Sequence, residues 1–346
     1  MISMTSMGRA PLARAMAIGG LVLASISVGC RHVDGPVANE KTDSPLNPPI
    51  QTDPPLNPPI DARIAFTSTR DGDEYIYVAT ADGSQIRRLA RGSRPTWSPD
   101  GRWIAFNASN GETSELRVIG VDGSGERVVA SPGGMSAWSP DGTKIVFSRG
   151  DLFSFPAFGL FVVNPDGSGL TQLLSADFED PPGNWLGYPA WSPDGKSIAF
   201  IRANNYMFWP IWVVNADGSS PRMLKGHDGN IFEPSWSPDG TMLAVGHISL
   251  RIGTMNADGS GLQLYPRALA FDPDWSPDGR SLIFKGFASP VGDSVSKVGS
   301  KMRIYVLDRQ TLDVRQLIPD AIDPKNPSYR DDDPVWLRSD KAPAVR

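Results

Sequence analysis

The pentapeptide Trp-Ser-Pro-Asp-Gly occurs five times, beginning at Trp97, Trp138, Trp191, Trp236 and Trp275, and this repetition constrains the fold more than any other feature of the chain. A period of roughly 40 to 50 residues is the length of a unit that cannot bury its apolar face alone and must stack on copies of itself. A degenerate sixth copy, Asp333-Pro334-Val335-Trp336, stands near the end of the sequence.

Each full copy leads into a short β-type run, such as Trp103-Ile104-Ala105-Phe106 or Ile198-Ala199-Phe200. A second run follows, as in Leu160-Phe161-Val162-Val163, then a turn of the type Asp82-Gly83-Ser84, Asp166-Gly167-Ser168 or Asp258-Gly259-Ser260. A third run returns the chain to the next tryptophan. Four short strands per unit, separated by tight turns, describe one blade of a β-propeller. The turn residues agree: Pro presets φ at the second turn position, Asp suits the third, and Gly takes the left-handed conformation that closes a hairpin. Trp97, Trp138, Trp191, Trp236, Trp275 and Trp336 are then wedges between neighbouring blades, a structural role.

The two ends of the repeat region determine how the ring closes. The chain enters at Arg63-Ile64-Ala65-Phe66, a second strand with no Pro-x-Trp segment before it, and leaves on Pro334-Val335-Trp336, an inner strand with nothing after it. The expectation is an all-β, six-bladed β-propeller over residues 62–337, with one blade built from three strands at the start and one from the end. Such 3+1 closure leaves no open edge in the ring. Residues 338–346 form a short C-terminal tail.

Residues 1–29 read as an export signal: Arg9 and Arg14 precede an apolar run from Met16 to Val28, which is shorter than the about 20 residues a spanning helix needs. Cys30, the only cysteine, sits at its boundary and excludes an intramolecular disulfide. Ser27-Val28-Gly29-Cys30 resembles a bacterial lipobox, which implies a lipid on the Cys30 thiol. Residues 30–61 hold the doubled segment Pro-Leu-Asn-Pro-Pro-Ile, at Pro45 and Pro55, and read as a semi-rigid proline stalk. The net charge of -5 lacks the basic footprint that nucleic-acid binding requires.

The units resemble the WD40-like repeats of the TolB family of propellers. That resemblance covers residues 62–337 and implies a propeller that works in the bacterial cell envelope by binding. The chain departs from the family in carrying only the signal and stalk ahead of Ala62, where TolB proteins carry an α/β domain. Trp138 also lacks the preceding Pro, and Asp308-Arg309-Gln310-Thr311 replaces the Asp-Gly-Ser turn of the sixth blade. The Gly-x-Ser-x-Gly elbow of propeller-capped peptidases is absent from the sequence.

Strand parity puts the uniform turns on one face of the ring and the long, varied loops on the other, where recognition is expected. Phe153, Phe155, Phe158, Trp185, Tyr188, Tyr206, Phe208 and Trp209 gather in the variable loops of blades three and four. They serve either as a local core that stiffens the loops or as an exposed binding patch. Acidic runs, Asp71, Asp73 and Glu74 and then Asp177, Glu179 and Asp180, admit calcium but lack the third ligand of a calcium loop. No metal or cofactor motif is present, and no residues are nominated as catalytic.

The reading is therefore a monomeric, lipid-anchored envelope module that binds a protein, a peptide or a glycan. The alternative is a propeller hydrolase, such as a lactonase, with carboxylates around a calcium in the central channel. The inner strands decide between them: they offer Asp272 and Asp274 in one blade but Ser, Ala or Thr in others, which favours binding.

Overall fold

The structure is a computed structural model that describes residues 61, 63–149, 159–176, 185–203, 209–224, 231–265, 269–287, 302–319 and 329–338. The signal, Cys30, the stalk up to Ile60 and the tail beyond Arg338 lie outside the described residues. So do Phe153, Phe155, Phe158, Tyr206 and Phe208, with Asp177, Glu179 and Asp180. The described strands form six four-stranded antiparallel sheets.

Blade one is the composite expected from the chain ends. Its order is Asp331–Trp336, Ile64–Ser68, Tyr75–Ala79 and Arg87–Arg91, so the last strand of the chain supplies its inner edge. The inner strands of blades two to six are Ser93–Trp97, Ser136–Trp138, Trp185–Trp191, Ile231–Trp236 and Ala270–Trp275. The ring is therefore closed 3+1.

The hydroxyl and carboxylate of the pentapeptide wire its turn. In the first copy, Ser98 Oγ donates to Asp100 Oδ1 at 2.7 Å and accepts the Trp103 amide at 2.9 Å, while Asp100 Oδ1 accepts the Arg102 amide at 3.0 Å. This explains why Ser and Asp recur beside Pro and Gly. The outer turns use the same device: Asp82 Oδ1 accepts from the Ser84 amide and hydroxyl, and the hydroxyls of Thr80 and then Ser84 hold its carboxyl down to about 2. The divergent turn of blade six conserves this chemistry, since Asp308 Oδ1 accepts the amides of Gln310 and Thr311 at 2.8 and 2.9 Å.

Apolar residues do not pool into one mass; they form six clusters, one at each seam between blades. The seam between blades six and one is filled by Ile64, Phe66, Tyr77, Ile283, Ile304 and Leu317, so the closing junction has a core like the others. The repeat tryptophans stitch these seams: Trp138, Trp236 and Trp275 donate their indole N–H to the carbonyls of Thr96, Ala190 and Ser235 in the preceding blade, at 3.2, 3.1 and 3.0 Å. Trp275 is fully buried, whereas Trp191 and Trp336 are only half-buried. The glycine of an outer turn is pressed against the neighbouring blade, because a Cβ on Gly83 would stand 2.2 Å from the Leu317 carbonyl oxygen.

Candidate functional site at the propeller axis

The inner strands break strict alternation at one point. Where proline precedes x-Trp, the ladder slips by a β-bulge, as between Phe232 and Ser235 and between Phe271 and Asp274. Proline has no N–H to give the ladder, so a bulge is the place an inner strand tolerates it. The residue before each proline takes a left-handed conformation: Arg94, Tyr188, Glu233, Asp272 and Asp333 have φ of 57, 51, 55, 48 and 48°. Such backbone is costly for residues other than glycine. Blade three has Met135 and Ser136 where the others have x-Pro, and its ladder runs without a slip.

These five side chains come from blades two, four, five, six and one, and they share one electrostatic environment. The Arg94 guanidinium lies in the field of Tyr188, Asp333, Asp272 and Glu233, and the Arg94 amide donates at 3.0 Å to Thr67 Oγ1, the hydroxyl that meets Asp333. Lys285, from the second strand of blade six, contacts Asp272 and lies 3.3 Å from Asp332. Arg330 joins Asp332 at 2.9 Å and Glu74 at 2.5 Å. Asp272 donates its backbone N–H to Glu233 Oε2 at 2.7 Å, and Thr67 Oγ1 donates to Asp333 Oδ2 at 3.0 Å.

The two ends of the carboxylate arc are poised differently. Burial first, and then the Asp272 charge, pushes the Glu233 carboxyl well above its usual range. Burial would raise Asp272 too, but the Lys285 ammonium and the Glu233 hydrogen bond outweigh it and hold Asp272 low. Burial pushes Asp333 up to about 6 against the pull of Lys285. Burial and the Glu233 charge also push the Tyr188 phenol up. The axis thus presents a carboxyl pushed up beside one held down, a phenol and a guanidinium, a set suited to gripping charged and hydrogen-bonding groups.

The expectation for the inner strands counts Asp272 and Asp274 in blade six and, in the other blades, stands two positions too late. It weighs the residue between Pro and Trp and finds Ser, Ala or Thr; the residue before Pro carries the axial charge. The residue before proline in the five Pro-x-Trp segments is Arg94, Tyr188, Glu233, Asp272 and Asp333. Asp274 has a structural part instead: it accepts from Ser235 Oγ at 2.6 Å, from the Trp336 amide at 2.9 Å and from Arg338 Nη2 at 2.8 Å, tying blades five, six and one.

Of the aromatic group, the described members touch one another. Trp185 is buried and lies 5.8 Å from Tyr188, edge-on, and 6.3 Å from Trp209, which in turn meets Phe232 at 6.2 Å. Tyr188 and Trp209 are half-buried against the core between blades four and five. The first acidic run is dispersed on separate partners: Asp71 accepts from Tyr77 Oη, Asp73 pairs with Arg91 at 3.1 Å, and Glu74 pairs with Arg330. Among the described residues, no group of three or more His, Cys, Asp or Glu is arranged to hold a metal ion, and no helix is long and apolar enough to cross a membrane.

Comparison with known proteins sets this ring among its relatives. An uncharacterized protein of Agrobacterium fabrum, Atu1656, is 33% identical over 151 residues, which cover 40% of this chain and 50% of that protein. The Tol-Pal system protein TolB of Desulfosudis oleivorans is 42% identical over 52 residues, 14% of this chain and 12% of that one. The chain thus matches about half or less of the length of these relatives. The crystal structure of TolB from Acinetobacter baumannii shares the fold with a TM-score of 0.63 at 16% identity, over 81% of this chain and 68% of that one. The model of the TolB beta propeller domain matches residues 46–239, more than half of the sequence. On that match and on the closed six-bladed ring, this chain belongs to the TolB β-propeller family.

Proposed function

We propose that this chain is a binding module of the bacterial cell envelope, which presents the axial mouth and variable face of its propeller to a partner protein, peptide or glycan. The observation that carries this reading is the chain of contacts that joins the inner strands: Glu233 to Asp272, Asp272 to Lys285, Lys285 to Asp332, and Asp333 through Thr67 to the Arg94 amide. Charged and hydrogen-bonding groups held on rigid strands are what specific recognition needs. Arg94 is the anchor for an anionic or carbonyl group of the partner, because its side chain is exposed and makes no ion pair within 4.0 Å among the described residues. Phe153, Phe155, Phe158, Tyr188, Tyr206, Phe208 and Trp209 are proposed as the aromatic rim beside it, with the buried Trp185 as their support.

The test is capture of a partner from an envelope extract, run beside a thermal melt. Arg94→Ala should lose capture about tenfold or more while melting within about 2 °C of the parent, as expected for an exposed hot-spot arginine. Trp209→Ala should melt earlier, since Trp209 packs on Trp185 and Phe232. Retained capture by Arg94→Ala would remove the axis from the recognition surface.

A second reading, a channel hydrolase, is favoured by one observation: Glu233 and Asp272 stand side by side at the axis, with Glu233 pushed up by burial and Asp272 held down by Lys285, a pairing suited to a general acid and a general base. Turnover of a panel of lactones and glycosides that is lost in Glu233→Gln, with capture intact, would establish it over the binding reading.

Membrane attachment is proposed through a lipid on Cys30, with residues 1–29 as the signal, 30–61 as the stalk and the propeller as a monomer. Cys30→Ala should move the protein from the membrane fraction to the soluble fraction. Unchanged fractionation, with no lipid mass on the mature N-terminus, would refute the anchor.

A further inference from the structure

The carboxyl groups of Glu233 and Asp272 meet across the seam between blades five and six. Asp272 donates its amide to Glu233 Oε2 at 2.7 Å, which brings the two carboxyl groups side by side. Two carboxyl groups held this close repel each other when both are ionised, so the pair favours keeping one proton between them. Asp272 is also in contact with Lys285, which reaches Asp332 on the strand that closes the ring. Asp333, the next residue, accepts from Thr67 of blade one. A continuous polar chain therefore runs from blade five through blade six into the closing strand.

We propose that the Glu233–Asp272 pair, with Asp333 beyond it, makes the axis a proton-sensitive clasp on the arc of blades five, six and one: tight while the pair holds a proton, looser once that proton is lost. This is regulation of the fold at the axis, and it holds whatever the axis receives. The groups facing the pair are Tyr188 from blade four, Arg94 from blade two, Lys285 from blade six, and Asp332 and Asp333 from blade one. Arg330 is divided between Asp332 and Glu74. Loss of the proton sets the carboxylates of Glu233, Asp272, Asp332 and Asp333 against Lys285 and the more distant Arg94, and like charges this close repel.

The raised positions of Glu233 and Asp333 fix the sign of the pH dependence. A carboxyl whose folded pKa lies above its unfolded value binds its proton more tightly in the folded chain. Its stabilisation is complete below the unfolded value, near 4, and is lost as pH rises through the folded value, which is about 6 for Asp333.

Thermal melts between pH 5.0 and 7.5, on the full chain and on Glu233→Gln and Asp333→Asn, test the clasp. The parent should melt at least about 3 °C higher at pH 5.0 than at pH 7.5. Glu233→Gln, whose amide donates to Asp272 at every pH, should remove most of that difference, and Asp333→Asn part of it. Groups elsewhere in the protein titrate alike in parent and variants, so the change in slope isolates the clasp. A flat parent profile, or an unchanged slope in Glu233→Gln, overturns the proposal. An independent reading on the parent alone is the infrared band of a protonated carboxyl group, expected at pH 7 and absent at pH 9; a parent without that band at pH 7 also overturns it.

Discussion

Removal of residues 331–346 should abolish the cooperative melt of the propeller. That cut takes away the inner strand of blade one, which pairs with Ile64–Ser68 and fills the last gap in the ring. It also strips Arg70 of Asp331, a pair 2.9 Å apart in which Asp331 has no exposed side-chain surface and Arg70 only 9%. Breaking a buried pair from one side costs about 3 to 5 kcal/mol, because the remaining charge is left uncompensated. The loss of Trp336 N–H to Asp274, of Lys285 to Asp332 and of Thr67 to Asp333 adds to this. Marginal domains hold about 5 to 15 kcal/mol in total, so little is left to keep the first three strands of blade one in place. Circular dichroism melts of the truncated chain, beside a control lacking only residues 342–346, read the effect. A truncated protein that melts like the control would mean that blade one is stable with three strands.

The second large effect is expected at Trp275. It is the one repeat tryptophan with no exposed surface among the described residues, its indole N–H bonds the Ser235 carbonyl at 3.0 Å, and the Arg309 guanidinium lies 4.5 Å from its ring. Trp275→Ala leaves a cavity between blades five and six, orphans that carbonyl and uncovers Arg309. A loss of about 3 to 5 kcal/mol is expected. Trp336→Ala should cost clearly less, although sequence position alone treats the two as equivalent, because Trp336 is half-buried at the closing seam. Urea midpoints of the two variants decide the order. Equal losses would mean that blade position, and not burial, sets the worth of each tryptophan.

The sequence by itself determined the architecture. Five identical pentapeptides impose a repeating blade, and the turn chemistry is local: Ser98 and Asp100 bond to atoms within five residues of themselves, so identical peptides make identical turns. The 3+1 closure was legible for a related reason, since an orphan second strand at Ile64 and an orphan inner strand at Trp336 have only each other as partners. Even the divergent Asp308 turn keeps its type, because a carboxylate followed by free amides is enough to build it.

The axial site was decided only by the tertiary structure. A strand with a period of two presents every second side chain to one face, and the bulge at each Pro-x-Trp segment cancels that rule where the axis is lined. Arg94, Tyr188, Glu233, Asp272 and Asp333 stand on five different blades, and closing the ring is what makes them neighbours. Their ionisation is set in the same way: whether Glu233 holds a proton depends on Asp272, Lys285 and the depth of burial, none of which is a property of Glu233 or of the residues beside it in the chain. The aromatic group shows the same division. Sequence placed Trp185, Tyr188 and Trp209 in adjoining loops, while the contact of Trp209 with Trp185 and Phe232 comes from the packing of blade four on blade five, a long-range event that no local pattern encodes.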